Sequence, residues 1–290
     1  MKCALVRPDG SVVHAERHRT DAGRGPDAVV GTVLDVAEGL AAKARADGLA
    51  PVAVGIAVPG VVDSAAGVAL WSANVGFRDV PLRDLAVARL GLPTALGHDV
   101  RAGGLAEARL GAGRGTAHVL FVAIGTGIAA AHMVDGSATA GAHGAAGEIG
   151  HILVRPGGPR CGCGRPGCLE AVASASAIAR RYAELTGTPA SAAQVVERAV
   201  AGEPEAAQVW REAVEALADG LATGQALFDV QTIVVGGGLA QAGAHLLDPL
   251  RAALHERMTF HREPRVVAAA LGDEAGCLGA ALLALDNLEK

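Results

Sequence analysis

The chain has 290 residues, enough for about two domains of ordinary size, each able to bury its own core. Hydrophobic residues make up 51 % and aromatic ones 2 %, so the cores rest on Ala, Val and Leu, and few rings are left for stacking on bases. A net charge of −5 without any run of Lys or Arg excludes the electrostatic footprint of a nucleic-acid binder, and no apolar stretch is long enough to span a bilayer.

In chain order, Cys3 to Val6 and then Val12-Val13 read as two short strands joined by a turn at Asp9-Gly10. From Asp27 to Ala46 the apolar residues Val30, Val33, Val36 and Leu40 recur at helical spacing. Val52 to Val58 is a continuous apolar run suited to a strand buried on both faces, and Pro59-Gly60 turns it. Leu82 to Leu90 predicts a helix, Pro93 to Gly97 a strand, and Val100 to Leu110 another helix. A second series begins with a strand over Val119 to Ile124, a tight turn at Gly125-Thr126-Gly127, and a returning strand over Ile128 to Val134. Gly136 to Gly150 reads as irregular, and helices follow over Ala171 to Leu185 and Ala206 to Leu227. Thr232 to Val235 predicts a strand, Gly236-Gly237-Gly238 a turn leading into a helix through Leu250, and Ala275 to Leu285 the last helix. Strand pairs followed by helix–strand alternation, twice over, predict two related α/β domains.

Three of the five cysteines fall within eight residues, in Cys161-Gly-Cys163-Gly-Arg-Pro-Gly-Cys168, while Cys3 and Cys277 stand alone. An odd count with one tight cluster points to metal ligation in a reducing compartment, not to a disulfide framework. Glycines and a proline let this loop curl round one ion, and His151, ten residues upstream, supplies a fourth ligand. Three thiolates and an imidazole suit a closed, structural zinc tetrahedron. Three ordinary free thiols on a loop are the alternative. The N-terminal Met1-Lys2-Cys3-Ala4 shows no apolar core of a signal peptide, so a soluble cytoplasmic protein is expected.

Gly147-Glu148-Ile149-Gly150-His151, followed by the cysteine segment and Leu169-Glu170, resembles the signature of the ROK family of sugar kinases and sugar-responsive repressors. The likeness extends to Gly55-Ile-Ala-Val-Pro59-Gly60, Asn74-Val-Gly-Phe-Arg-Asp-Val-Pro81, His98-Asp99, Gly125-Thr126-Gly127 and Val234-Val-Gly236-Gly-Gly-Leu. It implies an actin-like ATPase fold of the ribonuclease H-like kind, with two lobes and a cleft. The smaller lobe would take residues 1–98 with the helix 273–290 returning to it, and the larger, 99–272, would carry the zinc.

The resemblance also implies roles. Glu148, His151 and Glu170 would line the sugar pocket; on spacing alone the two glutamates read as solvated carboxylates. If one imidazole nitrogen of His151 holds zinc, the other carries its proton and presents a fixed donor to a sugar hydroxyl. Asp99 would be the general base, and an N-capping aspartate is its alternative role. His98 stands where the family has asparagine, so one amide contact to the sugar is changed. Asn74 would bond the substrate or serve as a plain turn residue. Gly125, Thr126 and Gly127 would approach phosphate, and Gly236, Gly237 and Gly238 adenosine or phosphate.

The implied reaction is ATP-dependent phosphorylation of a hexose, glucose at the 6-hydroxyl first, with Mg²⁺ accompanying ATP, in a homodimer with no nucleic-acid or membrane partner. A sugar-binding regulator and a catalytically impaired sugar binder are the alternatives; family repressors carry a helix-turn-helix ahead of the sugar domain, for which no room is expected. The family's opening Asp-x-Gly-Gly-Thr phosphate loop is not found in the sequence: either the start is set too far downstream, or this is a shortened form with impaired nucleotide binding, for which weak or absent catalysis is the expectation. The residues leave open which hexose or N-acetylhexosamine is taken.

Overall fold

The structure, a computed structural model, describes residues 1–289. It divides into two compact units. One comprises Met1–Ala106, Ala140–Ala146 and the segment from Asp273 onward; the other comprises Glu107–Thr139 and Gly147–Gly272.

In the first unit β1 (Lys2–Val6) and β2 (Val12–Arg17) form an antiparallel hairpin. Asp9 closes its turn by accepting from Ser11 N at 2.9 Å. The helix α1 (Pro26–Ala46) starts on a proline, whose missing N–H costs nothing in the first turn. The strand β3 (Val54–Val58) is followed by an antiparallel sheet of β4 (Val61–Asp63), β5 (Val68–Trp71) and β6 (Arg78–Val80). After α2 (Leu82–Leu90), β7 (Thr94–His98) pairs in parallel with β3, placing His98 opposite Val58. The helix α3 (Asp99–Arg109) follows without a loop.

The second unit is built on a mixed five-stranded sheet of order β10-β9-β8-β11-β12. Its strands β8 (His118–Ile124), β9 (Ile128–Val134) and β10 (Ser137–Ala138) form an antiparallel meander. Helices α4 (Leu169–Ala173), α5 (Ala175–Thr186), α6 (Ala192–Val200) and α7 (Pro204–Phe228) come next. The strand β11 (Thr232–Gly236) runs parallel to β8 and to β12 (Arg265–Ala268), with α8 (Ala244–Arg257) crossing between them. The helix α9 (Ala275–Leu288) belongs to the first unit, where it packs on β1, β3 and β7.

Each unit has its own apolar core. Ile56, Phe77, Leu82 and Leu96 centre the first; Leu120, Ile178, Leu217, Ile233 and Leu246 centre the second. Full burial of such a side chain stabilises by about 1.5–3 kcal/mol. Among the described residues no helix is long and apolar enough to cross a membrane.

Several elements depart from the sequence reading. The helix expected over Ala171 to Leu185 is broken at Ser174, whose hydroxyl caps α5 by accepting from Ala177 N at 3.1 Å. The glycine turn after β11 opens into a short 3-10 turn over Gly238–Ala242, and α8 starts only after Gly243. The sheet β4–β6, the helix α6 and the strand β12 have no counterpart in that reading. Nor is Asp99 the cap of α3: it occupies the first helical position, and His98 stands at the cap.

Candidate functional site

The metal-ligand set is assembled by a short clasp. Leu153 and Cys168 form an antiparallel bridge, and Val154 N and Arg155 N both donate to Gly167 O, at 3.0 and 3.1 Å. This brings His151 back beside the cysteine loop, where Arg165 Nη2 donates to His151 O at 2.6 Å. Cys161 N donates to Arg165 O at 2.9 Å, so the loop turns on its own backbone. The clasp is fastened to α7 through Arg155, which donates to Asp219, and Asp219 also accepts from Arg257 Nε at 2.6 Å. Burial works to raise the Asp219 carboxyl, but the two guanidinium partners outweigh it and hold it below the usual carboxylate range.

One ligand atom each from His151, Cys161, Cys163 and Cys168 lies within 4.8 Å of every other. Cys161 Sγ is 3.5 Å from His151 Nδ1, and Cys163 Sγ is 3.6 Å from Cys168 Sγ. A tetrahedral zinc, with Zn–S about 2.3 Å and Zn–N about 2.0 Å, spaces its ligands by roughly 3.5–3.8 Å. The donor set fits such an ion. Burial pushes the Cys161 thiol up to about 12 and raises Cys168 too, whereas the Arg165 backbone N–H brings exposed Cys163 down to about 6. A cation bound by this set would hold the buried thiols as thiolates.

With Nδ1 facing the cysteines, His151 Nε2 points away from them and lies 3.8 Å from Glu148 Oε2. Glu148 is exposed and His151 half-buried. Glu170, in the first turn of α4, is not a solvated carboxylate: its Oε2 accepts from Ile128 N at 3.0 Å, and its Oε1 lies 3.9 Å from Cys161 Sγ. The side chain thereby ties the β8–β9 turn to the metal loop.

In that turn Gly125 N donates to Gly127 O at 2.9 Å, Ala175 N donates to Gly125 O at 2.8 Å, and Ser176 Oγ donates to Thr126 O at 2.5 Å. The turn is therefore fixed from the start of α5. Because β8 and β11 are parallel neighbours, their carboxyl ends lie side by side, with Gly236 opposite Ala123. Gly237, at φ +82, sits against the backbone of Ile124 so closely that a Cβ would overlap it. Gly125 and Gly238 instead have open space where a side chain would be. Carboxyl ends of parallel strands with open glycines are where a backbone receives phosphate or ribose.

Asp99 and Asn74 belong to the first unit. Asp99 Oδ1 accepts from Val100 N at 2.7 Å, and the side chain is 44 % exposed. Asn74 is exposed on the turn between β5 and β6, which buried Val75 and Phe77 hold in place. His98 is buried, its Nε2 3.5 Å from Asp99 Oδ1.

The sequence reading missed Arg165, Ser174, Ser176 and Asp219. Arg165 lies inside the cysteine motif and was legible there, and Ser174 caps α5 through Ala177 N, three residues on; Ser176 and Asp219 depend on partners far away in the chain.

Two α/β units, one carrying a mixed sheet with glycine turns at its parallel strand ends and the other a strand-end aspartate, define a protein of the actin-like ATPase class. The chain belongs to the ROK family, which it matches over residues 1–287. It is 33 % identical over 305 residues to the glucokinase of Thermotoga maritima, covering 98 % of this chain and 93 % of that protein. A ROK family glucokinase from Streptomyces griseus, solved with glucose and AMPPNP, superposes with a TM-score of 0.83 at 31 % identity, covering 98 % of this chain and 95 % of that one. A ROK family transcriptional regulator, a homologue of the E. coli MLC protein, superposes with a TM-score of 0.85 at 28 % identity, over 97 % of this chain and 74 % of that one.

Proposed function

We propose that this protein is an ATP-dependent hexose kinase that phosphorylates glucose at its 6-hydroxyl, with Asp99 as the general base. The observation that carries the reading is the setting of Asp99: a half-exposed carboxylate at the end of a parallel strand, one oxygen pinned by Val100 N–H and the other without a partner among the described residues. Such a group is held rigidly yet can still take a proton. As the hydroxyl oxygen bonds to the γ-phosphorus and the bond to ADP breaks, its proton passes to Asp99. Glu148 and His151 Nε2–H would fix sugar hydroxyls, Glu170 would hold that wall to the β8–β9 turn, and Asn74 would add an amide contact. The turns at Gly125–Gly127 and Gly236–Gly238 would receive the nucleotide, whose Mg²⁺ arrives bound to its phosphates. Zinc in the His151, Cys161, Cys163 and Cys168 set is structural: it closes the loop and offers no open position to substrate. The homodimer is part of the proposal and is checked by light scattering.

The test is Asp99→Asn in a coupled kinase assay with glucose, mannose, fructose and N-acetylated hexosamines, beside sugar calorimetry. The amide keeps the shape but takes no proton, so kcat should fall by about a thousandfold. Sugar affinity should stay within a few-fold. Near-normal turnover would reduce Asp99 to a residue of the α3 first turn.

A further inference from the structure

We propose that His98 is the positioning residue of Asp99, capping α3 through Nδ1 and turning its Nε2–H toward the carboxylate. This rests on the reading of Asp99 as the base, and it assigns His98 a role other than the sugar contact expected from its place in the sequence.

The argument begins at the helix start. The first N–H groups of a helix have no partner within it, and a cap side chain commonly accepts from the third. Here β7 ends on His98 and α3 begins on Asp99, so Arg101 is third, and Arg101 N donates to His98 Nδ1 at 3.4 Å. A ring nitrogen accepts only when it carries no proton, so the proton of the neutral imidazole sits on Nε2. That nitrogen lies 3.5 Å from Asp99 Oδ1.

Burial holds His98 below the ordinary histidine value, against the pull of Asp99 and with the push of Arg101, which keeps the ring neutral. Nδ1 is then engaged inside the protein and Nε2 faces Asp99, and at 6 % exposure the ring presents little surface to a sugar. Asp99 Oδ1 sits between two donors, Val100 N–H at 2.7 Å and the imidazole N–H. The carboxylate is fixed about its last torsion, and Oδ2 is the oxygen left to face a substrate hydroxyl. The 3.5 Å approach is long for a formed bond, as catalytic contacts often are before substrate tightens them.

His98→Asn separates the two duties. Its amide oxygen can still accept from Arg101 N–H and cap α3, but its side chain is too short to bring a donor to Asp99. For the full chain with MgATP and the preferred sugar, we expect kcat to fall about tenfold with KM within about twofold. The melting temperature should be unchanged. Long-range ¹H–¹⁵N spectra of histidine-labelled protein, with His98 assigned by its loss in the variant, should show the Nε2–H tautomer. The Asp99 ¹³Cγ resonance should move in the variant. An Nδ1–H tautomer, or an unchanged kcat, would overturn the assignment. So would a raised KM at constant kcat, which makes His98 a sugar ligand. A wild-type chain inactive on every sugar would sink the kinase reading instead; the tautomer and the Asp99 resonance would then decide this one, and an unmoved resonance would overturn it.

Discussion

Replacing Glu107 should unfold the second unit early, although nothing in the sequence marks this glutamate out. It lies in α3 with no exposed surface, and its carboxylate accepts three backbone N–H groups. Ala112 N and Ala270 N donate to Oε2 at 2.9 and 3.1 Å, and Leu271 N donates to Oε1 at 2.8 Å. Truncation to alanine strands all three donors, each costing about 1–3 kcal/mol where water cannot replace the acceptor. Ala270 is exposed and can turn to water, while Ala112 and Leu271 are half-buried, so the loss should be roughly 2–4 kcal/mol. For a unit of this size that is roughly a 5–15 °C fall in melting temperature. Glu107→Gln is the sharper variant, because it keeps the shape but turns an NH₂ toward one of the donors. It should lose at least half as much as the alanine variant. Urea denaturation followed by circular dichroism reads both. A glutamine variant within about 0.5 kcal/mol of wild type would refute the idea that acceptor capacity, not side-chain volume, is what Glu107 supplies.

Protein purified without added metal should carry about one zinc ion per chain. Chelation should weaken sugar binding measured by calorimetry, whereas a metal-free chain with full sugar affinity would remove zinc from the account. Gly147→Ala should raise the sugar KM and lower stability together, since Gly147 has φ +99 and a Cβ there would overlap Ala130 O, displacing Glu148 beside it. Acidification should destabilise the second unit through His132, which stacks on Phe228 at 4.6 Å and whose pKa burial lowers. The unfolded histidine binds a proton near pH 6.5 and the folded one only at lower pH, so stability is complete above about 6.5 and is lost as pH falls toward the folded value. His132→Gln should flatten that slope in melting curves taken from pH 7.5 to 5.

The cysteine segment was readable because its ligands are close in the chain: three thiolates within eight residues can reach one ion whatever lies around them. The Asp9-Gly10 hairpin, α1, β8 and β9 were readable for the same reason, each being set by local spacing and turn chemistry. The sheet β4–β6 and the strand β12 were not, since strands of three or four residues carry too little alternation to separate from loop. Ser174 broke a helix that composition favoured, because its hydroxyl bonds Ala177 N.

At the site the sequence determined residue types, and the tertiary structure decided which atom of each does the work. That His151 turns Nδ1 to Cys161 depends on the Leu153–Cys168 bridge. That Glu170 holds Ile128 depends on a contact 42 residues away in the chain, and the partners of Glu107 at Ala270 and Leu271 lie more than 160 residues away. A hydrogen bond is specified by the direction and distance of two groups. For groups so far apart in the chain, only the packed fold sets either.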